Sequence, residues 1–212
     1  MLFRSRPLPR TTDTNNAAVS RDHSLAEHRL HGISIVTLVG GKLTTFRSVG
    51  EQIADRVFRQ LGISRHTSTR DRMLVGGDGF PREPSEWPKL WQQWATDYGT
   101  TVEEASALWP LYGMRTRDIL AAVASQPRTV VADTPFSTRV VRWVIEHEWA
   151  ATLDDLIERR LMLVFAPRLS LATLHDLAEC LVATGRMAAD AIFSAIEFTR
   201  ERLRVHYGRR PD

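Results

Sequence analysis

The stretch VGGKLTTFR, residues 39–47, gathers the side chains best suited to chemistry: Gly40, Gly41, Lys42, Thr44, Thr45 and Arg47. Paired glycines let a backbone approach a ligand closely and take angles closed to other residues. An apolar run precedes them and an amphipathic run follows, so a strand hands over here to a helix. The first-turn amides of a helix lack internal partners and carry partial positive charge. Lys42 adds a cation at that end, and Thr44 and Thr45 add hydroxyls. Such an end suits a negative or electron-rich group. It is not a nucleotide-triphosphate cradle. A P-loop places a glycine ahead of its Gly-Lys pair with four residues between, and Ser or Thr after the lysine; Val36 and Leu43 stand there instead. Spacing alone leaves the anion-facing reading level with a plain strand–helix turn whose polar residues face solvent.

The flanking segments must position these residues. Residues 33–39 are a β-branched apolar run of strand length that stops at Gly40-Gly41. Phe46, Val49, Ile53, Val57 and Leu61 recur at steps of three and four, one face of a helix that Gly62 ends. The pattern predicts a buried strand, a glycine turn and a helix. Residues 1–32 are polar and show neither strand nor helix period. Ser, Thr and Arg, the Gly76-Gly77-Asp78-Gly79 cluster and then Pro81 and Pro84 mark residues 64–84 as a linker.

Beyond the linker the signals are helical. Trp87, Trp91 and Trp94 form a stripe at helical spacing, which reads as core packing rather than a membrane-interface or quinone-lining surface. Thr101-Val102-Glu103-Glu104 matches a capping box, and Gly113 closes that helix. Thr134-Pro135 predicts a helix running through Trp149, and Thr152-Leu153-Asp154-Asp155 opens another that stops near Pro167. Ser170 starts a helix ended by Gly185, and a last amphipathic helix runs from about Met187 to His206. The expected class is an α+β fragment. A short strand–turn–helix piece occupies residues 1–63, a linker residues 64–84, and an all-α domain residues 85–212.

Composition narrows the function classes. With 43% hydrophobic and 25% charged residues the balance is that of an ordinary soluble globular chain. A net charge of +3 with no accompanying binding motif argues against nucleic acid as a partner. Cys180 stands alone and cannot form an internal disulfide, which points to a reducing compartment. His23, His28 and His31, with Asp22 and Glu27 between them, lack the tight repeated spacing of zinc ligands, so no metal is expected. His147-Glu148 would need a histidine at position 151 to make a zinc-protease helix, and Ala151 stands there. Glu146 and Glu148 point to different helix faces and form no catalytic pair; Glu148 is expected to pair with Arg159 or Arg160 between helices.

Three blocks carry a family resemblance. VSRDHS at residues 19–24 and TLVGGKLTTFR at residues 37–47, followed by Glu51, resemble the end of the flavin domain in FAD-dependent, quinone-linked glycerol-3-phosphate dehydrogenases. VVRWVIEHEWAATLDDLIERR at residues 140–160 is similar to their helical C-terminal cap domain. The resemblance implies that Gly40, Gly41, Lys42, Thr44 and Thr45 lie at the isoalloxazine ring of FAD, with Lys42 as the catalytic residue that stabilises the reduced flavin. It further implies that Arg6, in RSRPLP, and Arg21 hold the phosphate of glycerol 3-phosphate, since guanidinium groups grip phosphate bidentately.

The departures matter as much. Arg4 stands where the family has glycine, Leu161 where it has threonine, and the GxGxxG fingerprint that holds the FAD diphosphate is absent. The expectation is therefore the C-terminal part of a dehydrogenase, inactive alone. It would hold FAD only with an N-terminal part supplied elsewhere, through a fragment relationship, a truncated frame or a partner chain of a split enzyme. The resemblance places such an enzyme in the cytoplasm, peripherally on the inner face of the membrane, passing electrons to quinone. The alternative is a non-catalytic helical module that binds a partner chain.

Overall fold

The computed structural model describes residues 22–212, so Arg6 and Arg21 lie outside the described residues. The chain divides into two compact units, Met1–Arg72 and Met73–Asp212.

In the first unit, strands β1 (His23–Leu30) and β2 (Ile33–Gly40) pair antiparallel, from His23 opposite Gly40 to Leu30 opposite Ile33. The polar segment ahead of residue 33 is thus a strand, contrary to expectation. Glu27, His28 and Arg29 hide its alternation. The turn supplies what periodicity does not: His31 and Gly32 both have positive φ, 49° and 82°, the two-residue pattern whose twist matches a hairpin. Helix α1 (Phe46–Leu61) follows a 3-10 turn at Leu43–Thr45 and ends where Gly62 turns left-handed, φ 68°. Side chains bind α1 to the hairpin. Arg56 meets Glu27 at 2.6 Å, Gln60 donates to Ser34 at 2.8 Å, and His23 bonds Gln52 at 3.0 Å. Of the helix face predicted to be apolar, only Val49 is buried. β2 is not the buried strand expected: Ile33 is 67% exposed, and Ile35 and Leu38 are exposed too.

The second unit is all helical, so the α+β class holds for the chain. Its α-helices are α2 (Trp87–Asp97), α3 (Val102–Tyr112), α4 (Arg115–Val123), α5 (Thr138–His147), α6 (Leu171–Ala183) and α7 (Ile192–Tyr207). Their apolar faces meet in one core through Trp94, Leu108, Leu120, Val144, Leu177 and Leu203. The tryptophan stripe is core: Trp87, Trp91 and Trp94 all surround Trp109. At the N-terminus of α3, the Thr101 hydroxyl accepts the Glu104 amide, and at α6 Ser170 and Thr173 cap each other. Gly76 passes so close to the end of α3 that a methyl group there would strike the Tyr112 carbonyl, and a Cβ on Gly113 would sit 2.5 Å from the Gly76 oxygen.

Three expectations fail in this unit. Thr134-Pro135 does not open α5; Thr134 closes a turn onto the Val131 carbonyl, and the helix begins after Ser137. α5 also stops at His147, and Trp149 takes φ 56°. The helix opened by Thr152 and Asp155, which cap each other reciprocally, is a π turn over Asp155–Arg160 that ends long before Pro167. Met162, at φ 54°, breaks it.

Candidate functional site

The glycine corner sits where β2 gives way to the 3-10 turn. Gly40 and Gly41 have φ of 74° and 96°, a backbone that side chains rarely tolerate. A Cβ on Gly41 would lie 3.2 Å from the His23 Cβ, so the corner is folded tightly back on β1. Lys42 is extended and caps the turn, and the Thr45 hydroxyl and amide both bond its carbonyl, at 2.9 and 3.1 Å. Neither this turn nor α1 has an acidic residue in its first turn, so no carboxylate of its own offsets the partial positive charge. Lys42, Leu43 and Thr44 are exposed, Leu43 at 89%, and Phe46 stands exposed beside them. The corner is open, cationic and rimmed by apolar side chains.

Behind it, Arg47 and Glu51 hold the segment that follows α1. Arg47 donates to the Arg72 carbonyl at 2.6 Å. Glu51 accepts the Thr69 amide at 2.6 Å, the Thr69 hydroxyl at 2.9 Å and the Ser68 hydroxyl at 3.0 Å. Led by the Thr69 amide bond, these donors pull the Glu51 carboxyl down to about 2. Glu51 is thus a structural anchor. The histidines of β1 do not converge: alternation puts His23 and His28 on opposite faces, and His31 is in the turn.

In the helical unit, Glu148 of the His-Glu pair and Arg160 of the Arg-Arg pair build a polar knot. Glu148 accepts the Tyr112 hydroxyl at 2.9 Å and faces Arg115 and Arg160, each at 3.7 Å. Burial, then this bond to a carboxylate, pushes the Tyr112 phenol far above its usual range. The inter-helix pairing expected of Glu148 goes to Arg160; Arg159 instead pairs with Asp155 at 2.8 Å. Arg202 grips Glu158 in a two-pronged bond at 2.5 and 2.9 Å, and Arg209 caps the Val164 and Ala166 carbonyls. Arg202 and Arg209 are therefore tied inward, whereas Arg200 and Arg204 pair with Glu197 and Glu201 along their own helix. Sequence reasoning missed Arg139, which is buried and donates to carbonyls of Val123, Ala124, Gln126, Tyr98 and Gly99, closing the ends of α4 and α2. An arginine within an otherwise apolar helix face was the one available signal.

The family model for the C-terminal domain of alpha-glycerophosphate oxidase matches residues 67–188, more than half the chain. The chain belongs to this family. Three curated dehydrogenases are among the proteins similar to this chain. A glycerol-3-phosphate dehydrogenase from Synechocystis sp. is 34% identical over 163 residues, 73% of this chain and 28% of that protein. The mitochondrial glycerol-3-phosphate dehydrogenase of Rattus norvegicus is 29% identical over 169 residues, 74% of this chain and 22% of its own. A D-erythritol 1-phosphate dehydrogenase from Brucella abortus is 28% identical over 173 residues, 73% of this chain and 31% of its own. The resemblance to the C-terminal portion of glycerol-3-phosphate dehydrogenases holds, and the chain spans less than a third of the length of these relatives. Among the described residues, no helix is long and apolar enough to cross a membrane.

Proposed function

We propose that this chain is the C-terminal part of an FAD-dependent dehydrogenase that oxidises glycerol 3-phosphate to dihydroxyacetone phosphate, and that it is inactive by itself. The observation that carries the reading is the open corner at Gly40–Thr45, amide-rich, lysine-bearing and free of an acidic residue in its own first turn. Such a corner fits the pyrimidine edge of a flavin: the glycines admit close approach, and apolar Leu43 and Phe46 flank the polar atoms. FAD, when bound, supplies hydride acceptance from the carbinol carbon. Lys42 and the amides around Thr44 hold positive charge where negative charge develops on that edge. Arg6 and Arg21 are assigned to the substrate phosphate, which they would orient without taking part in bond changes. In this reading residues 1–63 belong to the flavin-facing part, 64–84 to a linker and 85–212 to the cap. The assembled enzyme works on the cytoplasmic face of a membrane with quinone as acceptor.

The relatives' names bound the substrate class: glycerol 3-phosphate in two of the three, erythritol 1-phosphate in the third, all small polyol phosphates. Titrating FAD into the purified chain, with and without the flavin-binding body of a relative, tests the proposal. We expect a colourless chain alone. With the body present, flavin absorption should change on addition of the wild-type chain and not of Lys42→Met. A chain that turns over glycerol 3-phosphate unaided, or Lys42→Met acting as wild type, overturns it.

A second reading, a non-catalytic module that binds a partner chain, is favoured by the apolar hairpin face of Leu30, Ile33 and Ile35 left in solvent. Retention of a flavin-free partner with no spectral effect on any flavin would support it.

A further inference from the structure

On α6, His175, Asp176 and Glu179 each bring one possible metal-ligand atom to within 4.8 Å of the others. The helix sets this up. His175 and Glu179 stand at i and i+4 and share a face, and Asp176 lies between them in sequence at its edge. The His175 Nδ1 is 3.6 Å from the Glu179 Oε1, close to the spacing of about 3.4 Å that two ligands keep around a tetrahedral zinc.

Three observations set the cluster apart from ordinary surface charge. Lys and Arg outnumber Asp and Glu by 28 to 25, yet among the described residues none of them pairs with Asp176 or Glu179. Asp176 is half-buried, and its Oδ2 accepts the Ala132 amide at 2.8 Å, which fixes the carboxylate and leaves Oδ1 for a second partner. Metal-binding carboxylates and imidazoles are characteristically oriented by such a hydrogen bond from behind. The His175 ring makes no hydrogen bond among the described residues, so its nitrogens are open to a ligand. Two carboxylates this close on a helix repel, and a cation between them turns that cost into attraction.

We propose that His175, Asp176 and Glu179 bind a divalent transition metal ion, zinc foremost. One imidazole and two carboxylates match the donors that zinc takes, and the imidazole disfavours magnesium and calcium, which prefer oxygen alone. Three protein ligands leave a further position for water or for a donor from another molecule. The frame is fixed: Ser170 and Thr173 cap the start of α6, and at its end the Thr184 hydroxyl bonds the Cys180 carbonyl. A bound ion also acts on the Asp176–Ala132 bond, which links α6 to the turn ahead of α5. The site lies within the helical unit and owes nothing to the flavin reading.

The test titrates zinc chloride into the full chain after a chelator has stripped it, with calorimetry and thermal melting as readouts. Wild type takes up zinc in a saturable one-to-one event and melts higher with the metal than without it. His175→Ala and Glu179→Gln, both at exposed positions, melt as wild type in the absence of metal. They bind zinc roughly 10-fold or more weakly and lose the zinc-dependent rise in melting temperature. His28→Ala, in the hairpin, binds zinc as wild type does. A wild type that takes up no zinc, or His175→Ala and Glu179→Gln binding it as tightly as wild type, overturns the proposal.

Discussion

The fully buried carboxylate of Glu104, at the start of α3, accepts the backbone amide of Ser137, the residue that caps α5. The same carboxylate takes the Thr100 hydroxyl and pairs with Arg128 at 3.3 Å. One side chain thus ties two helix N-termini and a distant arginine together. Glu104→Leu leaves the Ser137 amide and Arg128 without their acceptor, and we expect a loss of about 3 kcal/mol in urea unfolding. Retention of wild-type stability would mean that the contact is dispensable.

Glu51 gives the first unit an acid sensitivity of defined sign. Its folded carboxyl lies near 2 against 4.5 for an unperturbed glutamate, so the charged form is the one the fold prefers. The stabilisation is complete above about pH 4.5 and lost as pH falls toward 2. Hydrogen exchange at the Thr69 amide is expected to gain protection as pH rises through that window, once intrinsic rates are divided out, and Glu51→Gln is expected to flatten the curve.

Where Gly76 crosses the end of α3, there is no room for a side chain. Gly76→Ala places a methyl group against the Tyr112 carbonyl in a left-handed turn, and Gly113→Ala meets the Gly76 oxygen. Each is expected to cost more than about 2 kcal/mol by thermal or chemical denaturation. Gly99→Ala, also left-handed but with nothing near its Cβ position, should cost visibly less.

Cys180 lies inside α6, and burial raises its thiol to about 11. In the folded chain at pH 8 it should resist thiol reagents and become reactive only on unfolding. Fast labelling without loss of structure would contradict its placement.

Helix stops and caps could be read where a local cause decided them: Gly62 ends α1, Ser170 opens α6, and the tryptophan stripe points inward. What could not be read was settled at long range. β1 exists because β2 lies opposite it, and α5 starts late because Ser137 is captured by Glu104, 33 positions away. The π turn has no propensity signature at all. The glycine corner was legible as a strand-to-helix turn, since its glycines, lysine and hydroxyls are contiguous, while its facing a flavin belongs to the proposal. Arg6 and Arg21 rest on resemblance alone and lie outside the described residues. Trp149 was mistaken for helix because no apolar period distinguishes a last helical residue from the one beyond it.

The wide turn at Asp155–Arg160 holds one more residue than an α-helical path of the same reach. Deleting a single residue there would let the wide turn close as an α-helical one, with the chain beyond it leaving in nearly the same direction. Arg160, at the end of the turn, would then keep its place beside Glu148. The wide turn is thus where this segment should best tolerate the loss of one residue, the Glu148–Arg160 pair and the buried Leu156 and Ile157 being kept.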